Sequence, residues 1–392
     1  MSIKELADQY ESYIIEKRRY FHQHPELSWK EENTTNTIES ELKAMGIETK
    51  RFEGKTGVVG LIHGGHPGKT VALREDIDAL PIEEHADVPF RSLNKGVMHA
   101  CGHDCHISML LGAAKILTSI KDELHGDVKL IFQAAEETCH GAEYFVKQGV
   151  LDGVDAIIGM HIWGTLEAPK INVQPGGRMA SCDNFKIVVK GVACHGSAPH
   201  LGTDAIAAAA SIIMNLQTLV SRKNDPLNPL VISIGTIHGG DAFNILADNV
   251  VMEGTVRTFS RELRKNLENM MRSIIENTAK AMGAEATLEY YMYPGPIIND
   301  HDDLNRIARN AAVKLYGEEN LAPLEKMTGS EDFAYYMEKV PGVFAFIGCR
   351  NPEIGATYSN HSDKFKVDES ALHRGSAFYA QFAHDYLEET SK

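Results

Sequence analysis

Residues 105–137 read CHISMLLGAAKILTSIKDELHGDVKLIFQAAEE. The apolar periodicity up to Leu124 predicts a helix, and the segment from Gly126 onward predicts a short buried strand that ends in two acids. On either side of this stretch, the apolar segments at 56–64, 69–81 and 155–163 also predict strands. Strands that alternate with helices in this way favour an α/β domain with a mostly parallel sheet.

The pattern of elements changes near residue 183. From there to residue 293 the order is strand, helix, strand, strand, helix, strand, which is typical of an antiparallel sheet with two helices on one face. The predicted helices of this region span 204–221 and 261–282. We therefore predict a discontinuous first domain of residues 1–182 and 294–392, with residues 183–293 inserted as a ferredoxin-like α+β domain.

The composition limits the classes of function. The chain has 392 residues, is 43% hydrophobic and 24% charged, and carries a net charge of -15 at pH 7. This profile is typical of a soluble globular protein, and the negative charge argues against unaided binding to nucleic acid or to an anionic membrane. The N-terminal segment is charged throughout, unlike a secretory signal, and the apolar segment from Ala205 is expected to be too short to span a membrane. We therefore expect a cytoplasmic protein.

The cysteines leave a redox function open. The chain has six of them and no CxxC motif, so neither a zinc ribbon nor a thioredoxin-like site is indicated. Cys101 and Cys105 lie four residues apart at the start of a predicted helix and could form a redox pair. No second pair and no flavin-like glycine motif supports that interpretation, and cytosolic thiols are mostly buried small hydrophobes or metal ligands.

Acids and histidines follow the predicted strands of the first domain. Asp76 and Asp78 flank Ile77 at one strand end, and Glu136 and Glu137 close another. Ligands gather at the carboxyl ends of parallel strands, so we expect these side chains to meet at one edge of the sheet. Acids that close an apolar strand are costly unless they are paired or bound to metal, which favours a functional site.

Each of these residues also has a purely structural interpretation. The two glutamates would form a solvated turn, and the two aspartates would be buried partners of Arg74 or helix caps. A single histidine or cysteine is more often structural than metal-binding. The segment HACGHD at 99–104, His161 after a third strand, and His361 in the turn-like YSNHSDKF segment add candidates for the same site.

A series of motifs, taken in order, carries a family resemblance over nearly the whole chain. The series begins with RRYFHQHPELSWKE at 18–31 and ends with HSDKFKVDE at 361–369, and it includes REDIDALP, HACGHDCH, AAEE, GMHIW, CHGSAPH, GGDAFNILADNVVMEGTVRTF and GSEDFAYY. The chain thereby resembles the cytosolic metallo-aminoacylase and carboxypeptidase family of amidohydrolases. The branch is the one that contains indole-acetyl-amino-acid hydrolases, hippurate hydrolases and N-acetyl-diaminopimelate deacetylases.

The resemblance implies a role for each matching residue. The implied metal ligands are Cys101, His103, Glu137, His161 and His361, the implied general base is Glu136, and the implied supporting carboxylate is Asp78. This branch has a cysteine where most of the wider family has a bridging aspartate. It also has Asp76 in place of a first ligand histidine, which is consistent with His103 supplying the imidazole. One departure from the branch is Asn360, because the residue before the last histidine is more often apolar.

The implied ligand set has a chemical consequence. Five sulfur, nitrogen and oxygen donors exceed one closed tetrahedral zinc site and suit two divalent ions that share a ligand. We expect manganese or zinc, with nickel or cobalt as alternatives. Such ions would activate water and polarise a carbonyl, and Glu136 would take the proton from the water and return it to the leaving nitrogen.

In the inserted domain the resemblance implies three further site residues. His195 would reach over the active site, often that of a neighbouring subunit, and stabilise the oxyanion. Asn244 and Arg257 would hold the substrate carboxylate, for which the planar fork of arginine is suited. The structural alternatives are a surface histidine for His195 and a strand-edge salt bridge for Arg257. No role can be derived for Glu331 or Asp332, and His200 could cap the following helix.

The expected function follows from the resemblance and the residue chemistry together. We expect an amidohydrolase of aminoacylase type that cleaves N-acyl amino acids, with an inserted lid and oligomerisation domain. The expected assembly is a homodimer, or a tetramer formed as a dimer of dimers. The nearest alternative is a dipeptidase or weak peptidase that uses the same site. A non-catalytic metal-binding or amino-acid-binding protein is a further alternative, which the intact ligand and acid set argues against.

Overall fold

The computed structural model describes residues 1–391, and Lys392 lies outside the described range. The helices are α1 (Ile3–Gln23), α2 (Glu32–Ala44), α3 (His103–Ser119), α4 (Gly141–Lys147), α5 (Ala205–Thr218), α6 (Arg261–Ala281), α7 (Asp302–Tyr316), α8 (Ala334–Met337) and α9 (Leu372–Thr390). The strands are β1 (Glu48–Arg51), β2 (Val58–Ile62), β3 (His66–Asp76), β4 (His125–Gln133), β5 (Ala156–Glu167), β6 (Ile171–Asn172), β7 (Gly176–Met179), β8 (Asp183–Lys190), β9 (Leu230–Gly239), β10 (Asn249–Thr258), β11 (Glu285–Met292), β12 (Ile297–Asn299) and β13 (Gly342–Arg350).

The chain divides into two compact units. The first contains Met1–Gly176, Ile298–Glu325 and Asp332–Lys392, and the second contains Gly177–Ile297 and Lys326–Glu331. The predicted insertion at 183–293 lies inside the second unit. Residues 326–331, which the sequence analysis places in the first domain, group with the second unit, where the amide of Ala180 donates to the carbonyl oxygens of Met327 and Gly329.

The first unit contains a seven-stranded sheet in the order β1-β2-β4-β3-β5-β13-β6. Its four central strands, β4, β3, β5 and β13, run parallel, whereas β1, β2 and β6 pair antiparallel at the edges. Strands β4, β5 and β13 are apolar along nearly their whole buried length, as expected for parallel strands that are covered on both faces. Strand β3 differs, because it ends in the buried charged residues Arg74, Glu75 and Asp76. The predicted α/β fold with a mostly parallel sheet is therefore confirmed.

Helix α3 is the central helix of the first unit. It packs against α1 and α9, and it contacts β3, β4 and β5. Residues 103–114 are all buried, including the polar side chains in the first two turns, so this part of the helix has no face exposed to solvent. Close packing with α9 requires Gly375, because a Cβ atom there would lie 2.2 Å from the sulfur of Met109.

The second unit contains the predicted antiparallel sheet. Its strand order is β11-β8-β10-β9, and α5 and α6 supply the apolar side chains that form a core with it. The β-α-β-β-α-β order is therefore confirmed. One expectation differs, because the helical segment Ala205–Lys223 is long and apolar enough to cross a membrane by length and composition alone. Within the structure, Ala208, Ile212 and Leu216 of this segment are buried in the core of the second unit.

Asp183 is the first residue of β8, and its side chain links this strand to β11 and α6. Its carboxylate is fully buried and accepts hydrogen bonds from Arg264 Nε at 3.0 Å, Arg264 Nη2 at 2.7 Å and Tyr290 Oη at 2.9 Å. The amide of Tyr293 also donates to it at 3.3 Å. Because Arg264 is itself buried, the loss of Asp183 would leave a desolvated guanidinium without its main counter-charge.

We therefore expect Asp183→Ala to destabilise the second unit strongly. The expected loss in free energy of unfolding is about 3–5 kcal/mol, the range observed when one partner of a buried ion pair is removed. Urea unfolding of the whole chain, followed by circular dichroism, measures this loss. The matched control is Asp241→Ala, at an exposed acid of the same unit, which is expected to change the free energy of unfolding by less than about 0.5 kcal/mol. Equal effects of the two substitutions would contradict the assignment.

Candidate metal centre and active site

The functional side chains of the first unit come from the ends of parallel strands and from the start of α3. Strands β3, β4 and β5 run parallel, so their carboxyl ends lie at the same edge of the sheet. Helix α3 begins at His103, directly after Gly102, whose φ is 95°. A Cβ atom on Gly102 would lie 2.5 Å from Ile162 Cγ2, so glycine is required where this loop passes the end of β5.

The Sγ atom of Cys101 lies at the centre of the predicted ligand set. It is 3.3 Å from His161 Nε2 and 3.3 Å from His361 Nε2. Glu137 Oε1 lies 3.4 Å from His361 Nε2 and 3.9 Å from His103 Nε2. The structure therefore brings together all five residues that the sequence predicts as ligands.

Two groups of three possible ligands share Cys101. The first is Cys101, His103 and His161, and the second is Cys101, Glu137 and His361, with the ligand atoms of each group within 4.8 Å of one another. A further group joins His103 to Glu136 and Glu137. This arrangement offers two adjacent positions for a cation with a thiolate between them, and the mixed donor set suits a transition metal or zinc.

The buried polar atoms of the ligand set fit a cation. Nε2 of His103 and Oε1 of Glu137 are buried and lack a hydrogen-bond partner among the described residues. Buried polar atoms are rarely left unsatisfied in native proteins. Burial and then the neighbouring Glu137 carboxylate raise the pKa of the Cys101 thiol well above its usual value, so a thiolate here requires a compensating positive charge.

The backbone of Ile162 fixes two histidine tautomers. His161 Nδ1 donates to the carbonyl oxygen of Ile162 at 2.6 Å, which leaves the lone pair of Nε2 facing Cys101. The amide of Ile162 donates to His106 Nε2 at 2.9 Å, so Nδ1 of His106 carries the proton that it donates to Asp76 at 2.6 Å. Burial lowers the pKa of both imidazoles, which keeps them neutral, the form in which histidine binds metals.

Asp78 connects the candidate ligand His103 to the turn that carries Glu136 and Glu137. Its Oδ1 accepts from the amide of Glu136 and its Oδ2 accepts from the amide of Glu137, both at 3.1 Å. Oδ1 also lies 3.3 Å from His103 Nδ1, and Ser28 Oγ donates to Oδ2 at 2.7 Å. Asp78 thus orients one candidate ligand and the backbone of two other candidate site residues.

Asp76 is the buried partner of Arg74, as the structural alternative proposed. Arg74 Nη1 donates to Asp76 at 2.8 Å, and Nη2 donates to Asp332 at 2.7 Å. Asp332 also accepts from the amide of Ala142 at the start of α4, at 2.8 Å. The role that the sequence left open for Asp332 is therefore to neutralise Arg74 and to anchor α4 behind the candidate metal centre.

Asn360 explains the local departure from the family pattern. Its Nδ2 donates to the carbonyl oxygen of Cys101 at 2.8 Å and to that of Ile162 at 3.2 Å, and its Oδ1 accepts from the amide of Gly164 at 2.9 Å. His361 follows with a left-handed φ of 68°, and its amide donates to Ala100 at 2.8 Å. The Asn360 amide thereby ties the His361 loop to the segment that carries Cys101 and to the strand that carries His161.

The other candidates lie in the second unit. His195 is exposed, and its Nδ1 accepts from the amide of Ser197 at 3.1 Å. It forms a β-bridge with Ile245, so it lies beside Asn244. His200 does not cap α5, because the side chain of Asp204 accepts from the first amides of that helix.

Arg257 lies away from His195 and Asn244. It pairs with Val231 near the end of β10 and, among the residues the structure describes, makes no ion pair, which removes the salt-bridge alternative. The register of β8 and β10 runs from Asp183 opposite Val256 to Lys190 opposite Asn249. These ends are roughly 23 Å apart at the rise of an extended strand. His195 and Asn244 lie beyond one end, and Arg257 lies at the other.

The cysteines do not form a redox pair in this structure. Cys101 and Cys105 are both free thiols, and so are the other four cysteines. Cys105 is fully buried on α3, outside the groups of possible metal ligands that contain Cys101. Burial and then the neighbouring Asp104 raise the pKa of the Cys105 thiol well above its usual value, so it is an unreactive packing residue.

The known proteins that are similar to this chain include a carboxypeptidase, a deacetylase and a metal-binding peptidase. The thermostable carboxypeptidase 1 of Saccharolobus solfataricus is 39% identical over 388 residues, 97% of each chain, and the N-acetylcysteine deacetylase of Bacillus subtilis is 40% identical over 385 residues, 98% of this chain and 99% of the relative. The crystal structure of a Bacillus subtilis protein described as a dinuclear metal binding peptidase from the M20 family superposes with a TM-score of 0.86 at 38% identity, covering 97% of this chain and 99% of that one. The model of peptidase family M20/M25/M40 matches residues 72–385, and the chain belongs to this family.

Proposed function

We propose that this protein is a metal-dependent amidohydrolase that cleaves the amide bond of N-acyl amino acids. The observation that carries the proposal is the convergence of five donor side chains, Cys101 among them, beside the turn that bears Glu136. A relative that is 40% identical over nearly the whole chain is named N-acetylcysteine deacetylase, which supports this substrate class. A cytoplasmic location remains a prediction from the sequence.

The donor set is proposed to hold two divalent ions in each subunit. Cys101 would be shared, with His103 and His161 on one side and Glu137 and His361 on the other. The metals expected are manganese or zinc, with nickel or cobalt as alternatives. When bound, such ions lower the pKa of a water molecule and polarise a substrate carbonyl.

Glu136 is proposed as the general base and acid. Its neighbour Glu137 is assigned to the metal, which leaves the Glu136 carboxylate to take a proton from the attacking water and to deliver it to the leaving nitrogen. Asp78 supports this role, because it holds the amides of both glutamates while it contacts His103. His195 is proposed to stabilise the oxyanion, and Asn244 and Arg257 to bind the substrate carboxylate.

The separation of these last residues supports a homo-oligomer. Arg257 lies at one end of the second unit's sheet, whereas His195 and Asn244 lie beyond the other end. An N-acyl amino acid is about 7 Å long when extended, far less than the length of β8. One copy of the chain therefore does not supply all three residues to one substrate. We propose that two copies share each site in a dimer, or in a tetramer of two dimers, with the inserted unit as lid and oligomerisation domain.

A substrate screen tests the proposed function. Metal-depleted protein would be reloaded with manganese, zinc, nickel or cobalt and offered N-acetyl amino acids, hippurate, indole-acetyl amino acids and dipeptides. We expect the N-acyl amino acids to be hydrolysed with the highest kcat/KM. The name of the carboxypeptidase relative favours peptidase activity as the alternative, which a preference for dipeptides would establish. Metal binding without any hydrolysis would instead indicate a binding protein.

A further inference from the structure

The turn that delivers the two glutamates begins with an unusual backbone conformation. Ala135, two residues after β4, has a φ of 58°, in the left-handed region that L-residues other than asparagine and aspartate seldom adopt. Glu136 and Glu137 follow directly, so the backbone conformation of Ala135 contributes to the direction of their side chains. Such a conformation persists only where surrounding contacts enforce it.

Glu31 supplies that enforcing contact. Its side chain is fully buried, and Oε1 accepts from the amide of Ala135 at 2.9 Å while Oε2 accepts from Thr56 Oγ1 at 2.5 Å. Glu31 occupies the N-cap position of α2, yet it makes no side-chain capping bond there. The carboxylate instead bonds to a residue 104 positions away in sequence.

The segment around Glu31 also holds the neighbouring strand end. Ser28 Oγ donates to Asp78 Oδ2 at 2.7 Å, and the amide of Ala79 donates to the carbonyl oxygen of Glu26 at 2.8 Å. Residues 26–31 thus contact the chain after both β3 and β4. Among these contacts, the hydrogen bond to Glu31 is the one that Ala135, the residue with the left-handed φ, makes itself.

We propose that Glu31 is a positioning residue for the catalytic turn. By holding the Ala135 amide it keeps the backbone left-handed, and so it aims Glu136 at the reacting water and Glu137 at the metal. Glu31 itself touches neither metal nor substrate. The inference rests on the roles proposed for Glu136 and Glu137, and it assigns their geometry to a residue outside the ligand set.

Four variants test this role. Glu31→Leu removes the acceptor and is expected to lower both kcat and metal affinity about 10- to 100-fold, the usual cost of losing a partner that orients a ligand. Glu31→Gln keeps an oxygen for the Ala135 amide and should retain most of the activity. Ala135→Gly removes the steric cost of the left-handed conformation, because glycine adopts a positive φ freely. Combined with Glu31→Leu, it should recover a large part of the lost kcat and metal affinity.

The recovery separates positioning from a general loss of stability. Glu26→Leu in the same segment removes the acceptor for the amides of Asn33 and Thr34 and leaves the Ala135 amide bonded to Glu31, so Ala135→Gly should bring no recovery in that background. Metal affinity is measured by calorimetric titration, which does not depend on finding the right substrate. The proposal fails if Glu31→Leu leaves kcat and metal affinity unchanged. It also fails if the double variant folds as the wild type does, by circular dichroism, but recovers neither quantity.

Discussion

Replacing Glu136 with glutamine is expected to lower kcat about 10³- to 10⁴-fold, at the upper end of the usual contribution of a general base. Glutamine has nearly the same shape as glutamate but cannot accept the proton of the attacking water. The backbone amide of residue 136 would still donate to Asp78, so the turn should keep its conformation. Metal content and the free energy of unfolding are therefore expected to remain those of the wild type.

The measurement combines steady-state kinetics on the best N-acyl amino acid with elemental analysis of the purified variant. Glu143→Gln is the matched control, because Glu143 is an exposed carboxylate seven residues further on that pairs with Lys147 on α4. It should leave kcat unchanged. The assignment of Glu136 as base would be contradicted by a kcat within tenfold of the wild type. Loss of metal from Glu136→Gln would instead make Glu136 a ligand, as its place near His103 and Glu137 allows.

Replacing Cys101 with alanine is expected to have a comparable effect for a different reason. Its Sγ atom belongs to both groups of candidate ligands, so its removal weakens both metal positions together. Metals contribute several kcal/mol to transition-state stabilisation, which corresponds to a loss in kcat of about 10³-fold. We also expect the variant to retain fewer than two ions per chain after dialysis.

Cys105 offers the matched control for this substitution. It is fully buried four residues later on α3 and lies outside the ligand groups around Cys101, so Cys105→Ser should keep its metal and most of its activity. Two outcomes would count against the account. One is a Cys101→Ala variant with two ions and wild-type turnover. The other is equal inactivation by both substitutions, which would favour the alternative that Cys101 and Cys105 act as a redox pair.

The fold could be predicted where the sequence pattern is local. The apolar run of β4 and the continuous apolar stretch of α3 identify buried elements directly, and the six elements of the second unit appear in the predicted order. The antiparallel pairing of β1, β2 and β6 could not be read from the sequence, because short edge strands carry no signal of their direction. The return of residues 326–331 to the second unit depends on backbone hydrogen bonds to β7 and the residue after it, which no side-chain pattern encodes.

The donors of the candidate site could be predicted from the sequence, and so could the support from Asp78, but most of the other supporting contacts could not. The five candidate ligands and Glu136 follow from residue types and from the family resemblance, and the structure brings them together. Asp332 was left without a role because its partner Arg74 lies 258 positions away in sequence. The tautomers of His106 and His161 depend on backbone atoms of Ile162, which are present at every residue and so leave no signature.

Asn360 and Glu31 show two different limits of the sequence. Asn360 departs from the family pattern, which by itself argues against His361 as a ligand. Its side-chain amide nevertheless bonds to Cys101, Ile162 and Gly164 and so joins the His361 loop to two segments that carry candidate ligands. Glu31 is the last residue of the family motif at 18–31 and lies directly before α2, a position that would suggest a capping role. Only the three-dimensional contact with Ala135 connects it to the catalytic turn.

The central claim is that a pair of metal ions held around Cys101 hydrolyses N-acyl amino acids. Its most direct test is the hydrolysis rate of an N-acetyl amino acid by metal-depleted protein during stepwise addition of manganese or zinc. We expect no hydrolysis at the start and a rate that rises to a plateau at two ions per chain. A rate that persists after complete removal of metal would contradict the claim, and so would a chain that binds two ions and hydrolyses no substrate of this class.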